Sequence, residues 1–361
     1  MKPNTRIIFL DLARCFAVIM VVLVHATEHV YTMSAGYFKS LSLVSKIFAA
    51  SAFTMGRVGV PLFLFLTGYL ILGRKFSNDE CIAFWKNNWL RLFLTTEIWI
   101  LIYNVFFIVV QKQSPNFYLL AKEMVFLVNF PMAHMWYMPM IIGMYLFLPV
   151  FSKALTNIDT SILKFPMGLL AISLFVMPML MNMLGENAYS RLDPGFSGGL
   201  YGYYIILGFL VLQGVFDRIR KPVLVVMAVV SFIITVNVQL FLYSQGITRN
   251  VWYNWGTLAI CALSIFVLLK NSFNNAEESF YGIVSRKSFG IVRFISQFSF
   301  AIYLIHYPVL LLFEKIVKGV KANLSVKVLL LWITTFLCSA VLCFVLGKVT
   351  YLRKYLLYVK D

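Results

Sequence analysis

The sequence predicts an all-α, polytopic membrane protein of about ten transmembrane helices, N-in and C-in, with short re-entrant or interfacial helices between some spans. Three observations lead there. The 361 residues are 61% hydrophobic and 12% charged, whereas a soluble domain carries about 25% charged residues. Apolar runs close to the roughly 20 residues of a bilayer-spanning helix recur from one end of the chain to the other. With the N-terminus inside, roughly 19 Lys and Arg fall at inner ends and about 10 at outer ends, the bias of an N-in, C-in protein.

In order, the runs are 7–29, 47–72, 90–110, 136–152, 165–183, 199–215, 222–243, 253–270, 292–314 and 327–349; the fourth and sixth are short. The first lacks a small-residue cleavage site after it and is read as a retained span. The segment 116–130 is apolar but brief and bounded by Pro115 and Pro131, which suits an interfacial or re-entrant helix. Inner basic clusters are Arg74-Lys75, Lys86 to Arg91, Arg218 to Lys221, Arg286-Lys287 and Arg353-Lys354, while the outer loop Lys315 to Lys327 runs against the bias. No internal repeat or low-complexity linker interrupts the pattern. The expectation is one transmembrane domain, 1–361, with no fused soluble domain.

The net charge of +17 is read as inner-loop cations facing anionic lipid, not as a nucleic-acid interface. A subset of those cations has the chemistry to hold a polyanionic ligand. Cys15, Cys81, Cys261, Cys338 and Cys343 lie mostly inside apolar runs without disulfide or metal spacing and are read as small core residues. The chain has no phosphate-binding Gly-rich loop with Lys, no Gly-x-Ser-x-Gly elbow and no Cys/His metal cluster. Any group transfer must draw on an activated donor.

The first span is the most informative stretch. It carries Asp11, Arg14, His25, Glu28 and His29 in an otherwise apolar run, and such groups at membrane depth cost roughly 2.5–3.5 kcal/mol each. Arg14 and His25 are eleven residues apart, about 20° past three full turns, so they share a face with a rise of roughly 16 Å between them. Asp11 and His29 extend nearly the same stripe. Arg14 alone is adequately explained as a snorkelling cation paired with Asp11. A cation at one boundary and an imidazole at depth, on one face, describe a reaction path along the membrane normal. From physics alone, Gly59, Pro61 and Gly68 in the second span read as helix packing and a kink.

Asp11-x-x-Arg14 followed by His25 resembles the Arg-x10-His signature of the acyltransferase-3 integral membrane proteins. Val60, Phe63, Thr67, Gly68 and Tyr69 are similar to that family's Gly-Val-x-x-Phe-Phe-x-x-Ser-Gly-Phe/Tyr pattern, Thr67 keeping the hydroxyl. Arg91 matches the second Arg of a family Arg-x-x-Arg, with Asn88 where the first would be and Lys86 nearby. His134 and Trp136 resemble the opening of the fourth span. The stretch Tyr201 to Gly208 resembles a Tyr-rich span, and Ser299, Tyr303, His306 and Pro308 resemble a Ser-x-x-x-Tyr-Leu-x-His-x-Pro feature. The similarity runs in order over nearly the whole chain.

The resemblance implies a bacterial cytoplasmic-membrane O-acetyltransferase moving acetyl, or a larger acyl such as succinyl, from cytoplasmic acetyl-CoA to an extracytoplasmic polysaccharide or lipid-linked glycan. With Arg14 and Asp11 on the catalytic helix, His25 has the chemistry of a base on the acceptor hydroxyl or, in the competing mechanism, of the nucleophile in an acyl-His intermediate. The resemblance places Arg14, Arg91 and Lys86 toward the acyl-CoA. On the acceptor side it points to Glu28, His29, His134, Trp136 and His306. No metal and no nucleic acid enter; the partners are acyl-CoA, glycan and membrane lipid, with an oligomer possible. Outer residues Glu123, Glu186, Arg191, Asp193 and the cluster Trp252 to Trp255 have the chemistry to meet a sugar. The competing class is a secondary transporter or glycan exporter using His25, His29 and His306 as a proton relay.

Overall fold

Inside a bilayer no water satisfies backbone N–H and C=O groups, so a chain this apolar closes its hydrogen bonds within helices. A computed structural model describes residues 7–128, 130–184, 195, 198–273 and 286–359, with backbone alone at 286–288. Its helices are α1 (Ile8–Val30), α2 (Ala35–Lys39), α3 (Leu43–Arg57), α4 (Gly59–Ile71), α5 (Asn78–Phe84), α6 (Leu90–Gln111), α7 (Phe117–Met124), α8 (Tyr137–Leu155), α9 (Lys164–Ala171), α10 (Met177–Met183), α11 (Gly199–Leu212), α12 (Lys221–Ser244), α13 (Gly256–Phe273), α14 (Arg286–Gly319) and α15 (Leu324–Leu346). Single π-turns at Trp85–Trp89 and Ile172–Val176 join α5 to α6 and α9 to α10.

Among the described residues, nine helical segments are long and apolar enough to cross a membrane, one fewer than the ten runs, and α11 is a shorter apolar helix. The protein is therefore an all-α, multi-pass membrane protein. The run 199–215 supplies only fourteen helical residues because Gln213 caps the helix and Gly214 turns the chain at φ +76°, a conformation cheap only for glycine. The third span begins earlier than its apolar run, at Asn78, where Ser77 and Glu80 form a reciprocal capping box. Lys86 to Arg91 thus lies within a helix, not ahead of one. The 116–130 segment forms only the largely exposed α7, capped by the Asn116 side chain accepting from Leu119 N–H.

The second span is broken at Val58, which ends α3 and starts α4. Pro61 has no N–H to return to the Arg57 carbonyl, so the ladder cannot run through. Close approach sets the neighbouring contact. A Cβ on Gly68 would lie 1.8 Å from the Ile205 carbonyl oxygen and one on Gly208 2.1 Å from that of Phe65, so α4 and α11 touch backbone to backbone, as small residues allow in membranes.

α1 is the central helix: 78% of its apolar window is buried, against 28% for α15. It packs on α3, α4, α13, α14 and α15. The start of α1, the end of α4, the π-turn before α6 and Tyr358 meet around one cavity; this is the Arg14 end. At the opposite, His29 end, α1 meets Tyr307 and Glu314 of α14, and the 247–255 loop reaches Ala35 and Arg57.

Candidate functional site

His25, Glu28 and His29 fall at i, i+3 and i+4 on α1, one face of the helix. His25 Nδ1 lies 3.0 Å from Glu28 Oε2. An ionised carboxylate only accepts, so Nδ1 carries the hydrogen and Nε2 presents its lone pair. The other carboxylate oxygen accepts from Arg57 Nη2 at 2.7 Å. Arg57 is 6% exposed and is the last residue of α3, just ahead of the break. Its guanidinium lies 4.7 Å from the Phe53 ring centroid and 4.5 Å from that of Trp252, and Nη1 donates to the Tyr253 hydroxyl at 3.4 Å. Burial pushes the Tyr253 phenol above its ordinary value, so it meets Arg57 as a neutral hydroxyl. Removing one partner of a fully buried ion pair costs about 3–5 kcal/mol. The value here is smaller because the Glu28 side chain keeps 30% of its exposure.

Two more imidazoles complete the cluster. The His25 ring centroid is 5.3 Å from His306 and 6.2 Å from His134, which are 5.0 Å from each other. His306 Nδ1 donates to the Tyr303 carbonyl at 2.5 Å, leaving Nε2 buried without a hydrogen bond. Pro308 explains the third ring. Lacking an N–H, it frees the Leu304 carbonyl, and Tyr103 donates to that oxygen at 2.8 Å. With its proton committed, the Tyr103 oxygen accepts from His134 Nε2 at 3.3 Å, and His134 Nδ1 is left buried and unbonded. Three rings, each oriented by a different partner, therefore leave one ring nitrogen uncommitted apiece. A buried acceptor left unsatisfied costs about 1–3 kcal/mol, and this fold sustains two beside His25. Of the three rings His25 is the most accessible, 7% exposed against 1% and 0%. Among the described residues no group of three or more His, Cys, Asp or Glu side chains is placed to hold a metal ion.

Around this core, His29 Nε2 is 3.1 Å from the Tyr307 hydroxyl and its Nδ1 3.1 Å from Glu314 Oε2. Tyr307 stacks on His134 at 4.9 Å. Trp136 packs with Tyr201, Trp252 and Tyr253 at 5.4–5.7 Å, so the aromatic cluster at this end continues from the rings that flank Arg57. Trp255 is fully buried in the core. Glu123 is buried and accepts from Asn104 at 2.8 Å, a structural contact. Glu186, Arg191 and Asp193, and the side chains of Arg286 and Lys287, lie outside the described residues.

The Arg14 end is built differently. Asp11 is buried and accepts from Ser296 at 2.6 Å and from Arg14 Nη1 at 3.3 Å. Arg14 lines a cavity of about 320 Å³ together with Arg74, Asn88, Thr67, Tyr145 and Tyr358. Thr67 donates back to the Phe63 carbonyl at 2.9 Å. The walls include Val21, Tyr137 and Tyr303, but not His25. Tyr303 belongs to both constellations: it lines the cavity, donates to the His134 carbonyl at 2.5 Å and packs on the His134 and His306 rings.

Arg91 and Lys86 are not among the residues lining that cavity. Arg91 is committed elsewhere: its Nε and Nη2 donate to the Lys354 carbonyl at 3.1 and 2.7 Å, Nη2 reaches the Val359 carbonyl at 2.8 Å, and its guanidinium faces the Tyr358 ring. It closes the end of the π-turn Leu352–Leu356. Lys86 is exposed. The cation that joins Arg14 at the cavity is Arg74, whose Nε donates to the Leu70 carbonyl while the Nη groups make no hydrogen bond among the described residues. Arg57, Arg74, Tyr103 and Tyr307 were not legible as site residues. Arg57 sits inside the glycine-proline motif whose packing role masks it, and Tyr103 is signalled only indirectly, by the carbonyl that Pro308 frees.

A family description of an acyltransferase domain matches residues 7–348. No curated protein and no solved structure matches the chain.

Proposed function

Because the chain belongs to that acyltransferase-3 family, we propose that it is a bacterial cytoplasmic-membrane O-acetyltransferase carrying acetyl from cytoplasmic acetyl-CoA to a hydroxyl of a cell-surface or lipid-linked glycan. One observation carries the reading: His25 presents Nε2 while Nδ1 is held by the Glu28–Arg57 pair. A neutral imidazole oriented by a carboxylate is a general base held in the correct tautomer.

The acceptor hydroxyl gives its proton to His25 Nε2 as its oxygen bonds to the thioester carbonyl carbon. The C–S bond then breaks, and the imidazolium returns the proton to the departing thiolate of CoA. Glu28 balances the positive charge that His25 carries between those events. The Arg14 cavity suits the donor. Arg14 and Arg74 stand at one end for phosphate groups, which arginine meets with paired hydrogen bonds, and the mostly apolar bore takes the pantetheine arm. Exposed Lys86, two residues from the cavity-lining Asn88, adds positive charge nearby; Arg91 serves the fold. Tyr303 lines the bore and packs on the His134 and His306 rings, so it joins the donor side to the histidines. His29, His134, Trp136 and His306 surround the acceptor side.

Reconstituted vesicles supplied with labelled acetyl-CoA and bacterial cell-surface glycan test the reading. Label entering glycan, and doing so only when the thioester is offered at the Arg14 face, supports it. Absence of label with both acetyl-CoA and succinyl-CoA, across acceptors, would overturn it, and the better donor of the two names the acyl group.

A further inference from the structure

The His29 end holds a second pocket, of about 250 Å³, lined by Asn182, Thr248, Arg249, Asn250, Trp252, Asn254 and Trp255. Its walls are fixed from beneath. Gln239 of α12 is fully buried and brackets the loop, donating to the Arg249 carbonyl at 2.5 Å and accepting from Val251 N–H at 2.6 Å. Thr248 accepts from the Ala35 N–H at 3.1 Å, and Tyr243 donates to Asn250. A loop so tied loses little entropy when something binds it.

The pocket offers donors that the protein itself does not use. Asn182 and Asn254 are 8% and 9% exposed, and neither side-chain amide has a hydrogen-bond partner among the described residues. Both side chains line the pocket. Among the described residues the Arg249 guanidinium has neither an ion pair nor a hydrogen bond, and no described lining side chain is a carboxylate. The partly exposed Trp252 indole beside amides suits the apolar face and hydroxyl rim of a pyranose, and a guanidinium recognises an anion.

We infer that this pocket binds an acidic sugar residue of the acceptor, one bearing a carboxylate or a phosphate. Trp252 lines the pocket and also covers Arg57, whose partner Glu28 holds His25. The pocket is thereby joined to the imidazole cluster through Trp252, Arg57 and Glu28. The inference rests on the transferase reading for the purpose of the sugar, while the binding itself is independent of acyl-CoA.

The test is direct binding to the full chain in neutral-lipid nanodiscs, without acyl-CoA and at physiological salt, followed by tryptophan fluorescence. The probes are glucuronate, glucose 6-phosphate, glucose and inorganic phosphate. At least one charged sugar should bind about tenfold or more tighter than glucose, and the tighter of the two identifies the anion. Arg249→Gln should erase that preference and Arg249→Lys restore most of it. Asn254→Ala should weaken charged and neutral sugars alike. Equal binding of charged and neutral sugars, an unaltered preference in Arg249→Gln, or inorganic phosphate competing as well as the sugar phosphate would overturn the assignment. Sugar binding that persists when no acyl transfer is found sinks the transferase reading alone. Acyl transfer that proceeds while the binding tests fail sinks the pocket alone.

Discussion

The two ends of α1 carry similar charges and treat them in opposite ways. At the Arg14 end a cavity stands open against Arg14 and Arg74, with Asp11 anchoring one of the two. At the other end His25, Glu28 and Arg57 are packed among aromatic rings and bound to one another. Cations that line an open cavity are suited to a ligand that arrives with its own charge, because the ligand can reach them. A buried, mutually bonded set is suited to chemistry, because its dipoles are fixed before the reaction and need not reorganise during it. The difference separates holding the donor from activating the acceptor.

Substitutions that act on one end and spare the other break or sharpen that division. The largest effect belongs to His25→Ala, which removes the base and should lower the rate of acyl transfer by about 10²–10⁴-fold, measured as labelled product per folded protein. Arg57→Ala leaves Glu28 without its cation and His25 less firmly oriented; transfer should fall by about 10–100-fold, with a lower melting temperature in detergent. Arg14→Ala should act on the donor side, raising the KM for acyl-CoA by about tenfold through the loss of one charge-assisted contact. The smallest effect on activity falls to Arg91→Ala. Its three bonds run to backbone carbonyls, so the KM for acyl-CoA should hold within about twofold while stability drops by about 1–3 kcal/mol, read by thermal denaturation.

Much of the fold was legible because lipid leaves so few choices. Apolar runs mark spans, and the nine long helices and α11 fall on the ten runs. The departures have local causes. Gly214 ends α11 early, and the capping box at Ser77 starts the third span a dozen residues before its apolar run. The site was legible along one helix and illegible across helices. The spacing of His25, Glu28 and His29 on α1 follows from 3.6 residues per turn. The partner of Glu28 comes from another helix, and nothing in spacing tells a buried arginine from a snorkelling one. Arg91 and Arg57 show the limit: two arginines beside aromatic residues, one tied to backbone carbonyls at a π-turn and one holding the carboxylate that orients His25. The Pro308–Leu304–Tyr103–His134 chain is another long-range consequence, since a missing N–H is visible in sequence but the hydroxyl that answers it is not.

Acyl-CoA binding to His25→Ala and Arg14→Ala, both checked for folding, tests the division most directly. Isothermal titration with the purified chains in nanodiscs should find His25→Ala binding acyl-CoA within about twofold of wild type although transfer is lost, and Arg14→Ala binding about tenfold more weakly. If His25→Ala loses acyl-CoA binding as well, or Arg14→Ala binds as wild type does, the two ends do not divide the reaction and the account is wrong.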